Sequence, residues 1–129
     1  MSTAPGKEEF EKELTRDRLM VLIFLMLVTA DGEVNIPETE SMFSFIHPDA
    51  FERPLKNNQL LIDYTFRFIK TQSREQLLGL ISRNLHRWFQ PVSTFRTNLE
   101  SMQTVLEADG HQGEEELKLL NQLMKLAEE

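Results

Sequence analysis

The chain contains no cysteine. Disulfides, thiolate zinc sites and cysteine nucleophiles are thereby excluded, and a reducing setting such as the cytoplasm is expected. Long hydrophobic runs are also missing. The longest, LMVLIFLMLV at residues 19 to 28, is about half of the roughly 20 apolar residues that a membrane-spanning helix needs. It follows the charged stretch KEEFEKELTRDR without a small-residue cleavage site, so it reads as a buried helix rather than a signal or transmembrane segment. No stretch combines apolar–polar alternation with β-branched enrichment, so no sheet is expected. Neither a glycine-rich phosphate loop nor a nucleophile elbow is present, so no catalytic role is expected. Positive charge is in deficit, 14 basic against 21 acidic residues, for a net charge of −7. A chain of that sign repels phosphate over most of its surface and is not expected to bind nucleic acid.

The acidic excess is unevenly placed. Residues 1 to 49 hold ten acids and four bases, residues 50 to 99 three and eight, and residues 100 to 129 eight and two. A basic middle third flanked by acidic ends either neutralises itself within the fold or offers a basic face to an acidic partner.

What is present is helical periodicity from end to end. Phe10, Leu14, Leu19, Leu22, Ile23 and Met26 recur at steps of mostly three and four. Further stripes run through Leu60, Leu61, Tyr64 and Phe68, through Leu77, Leu80, Ile81, Leu85 and Trp88, and through Phe95, Leu99, Met102 and Leu106. A last stripe takes Leu117, Leu120, Leu123, Met124 and Ala127, and a short helix fits residues 38 to 46. Ser73 with Gln76 three residues on has the capping-box pattern. Pro37 fits a first turn, and Pro48, Pro54 and Pro91 punctuate the connections. The expectation is an all-α, compact single domain over residues 7 to 129, preceded by a disordered tail at 1 to 6. His86 reads as a packing residue near a helix end. Of the pairs Phe43/Phe45 and Trp88/Phe89, one member each is expected at the surface, pointing to a protein partner or a homodimer face.

One local pattern occurs twice. VTADGEVNIPETE at residues 28 to 40 and LEADGHQGEEE at 106 to 116 each place Ala-Asp-Gly at the end of an apolar helix, with a carboxylate seven residues after the Asp. Glu38 follows Asp31 and Glu116 follows Asp109. Gly32 and Gly110 suit the left-handed residue that closes a helix. In structural terms, Asn35 with Glu38, and Gly113 with Glu116, fit N-caps and their partners, while Asp31 and Asp109 fit Asx-turns. That reading leaves a carboxylate opposing a helix dipole twice, at a cost of about 0.3–1 kcal/mol each. A cation removes the conflict. The D-G step followed by Glu matches the second half of an EF-hand loop, yet Leu27, Thr29, Val105 and Glu107 stand where its first half needs oxygen ligands. A self-contained EF-hand is excluded. A divalent ion such as Ca, Mg or Mn shared by Asp31, Glu38, Asp109 and Glu116 is not.

A long apolar helix ending in ADGEV, a gap with proline, a Glu seven after the Asp, and a second D-G before LKLLNQLMKLA together resemble the tellurite-resistance TerB-like family over residues 14 to 127. The resemblance implies two pseudo-symmetric helical halves with an acidic metal-binding surface, in a non-catalytic stress-response or metal-sensing scaffold. By position it adds Glu33 to Asp31, Glu38, Asp109 and Glu116. The second loop departs from the family pattern, with Gln112 and Gly113 where an apolar residue and an acid are usual, and His111 after the Gly.

Overall fold

The computed structural model describes residues 6–30, 59–89, 93–108 and 113–126, and in these every regular element is a helix. In chain order they are α1 (Lys7–Lys12), α2 (Arg16–Thr29), α3 (Gln59–Lys70), α4 (Arg74–Trp88), α5 (Ser93–Ala108) and α6 (Glu114–Leu126). The expected helix over 38 to 46 lies outside the described residues, as do Phe43 and Phe45.

α2 is the axis of the packing. Every residue from Leu19 to Val28 is buried, so this helix is enclosed on all sides rather than along one stripe. It packs against α3 and α6, and α6 also packs on α5. Phe68, Leu80, Ile81, Phe89, Phe95, Leu99, Met102 and Leu123 complete one continuous apolar core. The methionines described at Met20, Met26 and Met102 are core residues. No helix among the described residues is long and apolar enough to cross a membrane.

Caps explain where several helices begin. Ser73 Oγ accepts from the Gln76 N–H at 3.1 Å while Gln76 Oε1 accepts from the Ser73 N–H at 2.8 Å, the reciprocal box expected from the sequence. The stripe starting at Phe10 is broken. Residues 13 to 15 leave the helix, and Thr15, extended at φ −121°, caps α2 by accepting from the Arg18 N–H. In α3, where the side chains of Leu60 and Leu61 lie outside the described ones, the buried positions among those described are Ile62, Thr65 and Phe68, with Tyr64 half-buried. The last stripe, that of α6, is rotated from its expected register. Its buried positions are Glu116, Leu119, Leu120 and Leu123, while Leu117 is 44% exposed. His86 is exposed in the last turn of α4, not packed. Of the adjacent pair at the end of α4, Phe89 is buried against Phe95 and Trp88 is the more exposed.

Candidate functional site

Among the acids that the sequence singles out, Glu116 lies within the described residues. Asp31, Glu33, Glu38 and Asp109 lie outside them, as do Gly32, Gly110 and His111. The structure does describe the helix ends on which these residues are strung.

α2 runs to Thr29, and Ala30 continues in helical conformation at φ −58°, ψ −28° with its N–H bonded to Met26 C=O. Asp31 is the next residue. At the other turn, the Leu117 N–H bonds to Gly113 C=O at 3.1 Å, which makes Gly113 the capping position of α6 and Glu116 its third helical residue. Glu114, Glu115 and Glu116 fill that first turn. Negative charge is favoured there by the exposed N–H groups and the helix dipole.

The three glutamates have different surroundings. Glu114 is exposed. Glu115 sits between Lys118 Nζ at 3.4 Å and Arg74 Nη1 at 3.8 Å, the second contact reaching across to the start of α4. Glu116 is only 4% exposed and its Oε2 is sealed from solvent. Burying a carboxylate costs several kcal/mol unless charge or hydrogen bonds compensate it. Its location at a helix N-terminus supplies part of that compensation.

The end of α2 and the second turn of α6 share a cleft of about 220 Å³. Met26, Thr29 and Ala30 of the α2 end form one wall, and Ile69, Gln72, Arg74, Leu77 and Leu119 the others. Thus Ala30, the neighbour of Asp31, and Leu119, one turn beyond Glu116, line the same depression. The Thr29 hydroxyl is turned back to Met26 C=O at 3.1 Å. Sequence periodicity did not anticipate Arg74 as the residue tying α4 to the acidic turn. Its position directly after the Ser73 cap was the available signal.

Among the described residues no three His, Cys, Asp or Glu side chains group closely enough to hold a metal ion. The donor types fit a hard cation: carboxylate oxygens suit Ca, Mg or Mn, and thiolates are absent from the chain. No family model, curated protein or solved structure matches the chain.

Proposed function

We propose that this chain is a non-catalytic, TerB-like helical module that binds one divalent cation where α2 ends and α6 begins, and serves as a metal-sensing scaffold of a stress response of the tellurite type. Asp31 and Asp109 are the principal ligands in this reading, Glu38 and Glu116 the closing ligands, and Glu33 an auxiliary one. When bound, the ion supplies charge neutralisation that ties the two helix–turn–helix halves together.

One observation carries the reading: in the first turn of α6 the chain buries Glu116 and exposes Leu117. That rotation costs little in leucine burial, because Leu119 is buried where Leu117 is not, and what it adds is a buried carboxylate, a burden of several kcal/mol. A cation held by Glu116 offsets that cost. The cleft lined by both Ala30 and Leu119 adds proximity of the α2 end to α6. Exposed Leu117 also suits a constitutive protein-interaction scaffold, with a partner or a second copy covering it and the acidic turns acting only as caps.

Thermal melting during a calcium, magnesium or manganese titration separates the two. A ligand that binds the folded form alone stabilises it by about 2.7 kcal/mol at a hundredfold excess over its Kd. That raises Tm by several degrees for a domain of this size. The Asp31→Asn, Asp109→Asn double variant is expected to lose the increase. An unchanged wild-type Tm at millimolar concentrations of all three ions favours the scaffold, and a full increase in the double variant dismisses these ligands.

A further inference from the structure

Among the described residues, α1 is held to α3 and α4 by a specific set of contacts. A helix of six residues has no stability of its own, and its capping Gly6 offers no side-chain cap. Lys7, Glu8, Glu9 and Lys12 are all exposed. The one buried residue of α1 is Phe10, whose ring lies parallel to Phe68 at 3.9 Å between centroids, with Tyr64 stacked at 5.9 Å. Glu11, next in the chain, receives Arg83 Nη2 at 3.0 Å on Oε1 and Arg83 Nε at 3.2 Å on Oε2. Asn84 Nδ2 donates to the same Oε2 at 3.0 Å. Just beyond the helix, Glu13 Oε2 accepts from Tyr64 Oη at 3.2 Å and Arg18 Nη1 at 3.3 Å.

These partners define a groove. Phe68 and Tyr64 of α3 form an aromatic floor, and Arg83 and Asn84 of α4 form a cationic, amide-bearing wall. Within the wall, Asn84 is also anchored to its own helix by a bond from Nδ2 to Leu80 C=O at 2.8 Å. The groove's chemistry selects a segment carrying Phe followed directly by Glu, with a further acid two residues on. A bidentate guanidinium–carboxylate pair fixes the register, and a flat aromatic slot fixes the anchor.

We infer that the α3–α4 groove is a docking surface for an acidic helical turn of the Phe-Glu type on a partner protein, and that α1 occupies it in cis as an autoinhibitory clasp. Charge complementarity argues for this occupant: the clasp's Glu11 meets Arg83, and the Phe10 ring stacks on Phe68 and Tyr64. A tethered occupant acts at an effective concentration on the order of millimolar. The partner therefore competes for the fraction of molecules in which α1 has lifted, and its apparent Kd is weakened by that fraction. No residue of this groove belongs to the proposed cation site, so either reading can fail without the other.

The test uses the full-length chain and a fluorescein-labelled peptide of residues 6 to 15, GKEEFEKELT, as probe. The Phe10→Ala, Glu11→Ala variant, which empties the groove, is expected to bind the peptide at least about tenfold more tightly than the wild type. Adding Arg83→Glu to that variant is expected to reverse the gain. Equal binding by wild type and variant, or no saturable binding by a folded variant, overturns the proposal. So does a concentration-dependent dimer of the wild type that exchanges α1, which assigns the groove to a second copy. If the double variant does not fold, hydrogen exchange of the wild type decides. The Phe10 and Glu13 amides, bonded to Gly6 and Glu9 carbonyls, are expected to exchange through an opening at least about a hundredfold more frequent than that of α2. Exchange only through global unfolding makes α1 integral and overturns the proposal.

Discussion

Glu116 and Leu117 occupy sides of α6 that their chemistry alone would assign the other way round, the acid within and the leucine without. The sequence permits both registers. Leu120 and Leu123 belong to either stripe, and the choice lies between Glu116 with Leu119 and Leu117 with Met124. Hydrophobicity favoured the second, so the helix was legible and its rotation was not. Local rules fail in this way where function or tertiary packing overrides them. Replacing a buried charged group by an apolar one of similar size is often neutral or stabilising. We therefore expect Glu116→Leu, without added metal, to keep or raise the Tm, while the calcium-dependent increase disappears. A large loss of stability without metal would mark Glu116 as a structural residue instead, and paired melts of the two proteins read both quantities.

At the scale of the element, beginnings were more legible than breaks. The Ser73–Gln76 box was visible because both halves of a reciprocal contact are encoded three residues apart. Ser73→Ala is expected to cost about 1 kcal/mol, read from the midpoint of urea unfolding with an unchanged slope. The break between α1 and α2 was hidden because apolar spacing continues through it. Thr15 caps α2, but Arg18 stands where a capping box needs Glu or Gln, so the pattern carried half of its usual signal.

The clasp formed by α1 also has a pH signature. Hydrogen bonds from Arg83, aided by Asn84 and by the positive charges of Arg83 and Lys7, hold the Glu11 carboxyl below the usual carboxylate range, against the effect of burial. A depressed folded value means that Glu11 stabilises docking above its ordinary pKa of about 4.3, and the contribution is lost as pH falls through the lower folded value. Tyr64 behaves oppositely. Burial, reinforced by Glu13, pushes its hydroxyl up, so its contribution is complete below about 10 and is lost as pH rises through the higher folded value. Docking of α1, followed through the Phe10 ring resonances, is expected to hold between those limits and weaken outside both. A Phe10 environment that stays unchanged both in acid well below the ordinary glutamate range and in base well above the ordinary tyrosine range would contradict it.

Across the whole molecule, charge segregation along the chain becomes charge pairing in space. Arg83 of the basic middle third pairs with Glu11 of the first third, and Arg74 pairs with Glu115 of the last. The alternation seen in the sequence thus helps bring three segments together, although exposed pairs of this kind each contribute about 1 kcal/mol or less. The all-helical class followed from periodicity because a period near 3.6 is unambiguous over long segments. The arrangement of helices did not, since a helix enclosed on all sides, like α2, points to no particular neighbour. That enclosure sets the end of α2 beside α6, at the cleft shared by Ala30 and Leu119. The central claim is that one ion is reached from both turns. Substoichiometric Mn²⁺ added to the ¹⁵N-labelled chain tests it most directly, because a paramagnetic ion broadens the amides around it. The account predicts that Ala30 and the Glu114–Leu117 amides fade together, at the same metal ratio. Broadening confined to one of the two helix ends, or spread evenly over all exposed acids, would contradict it.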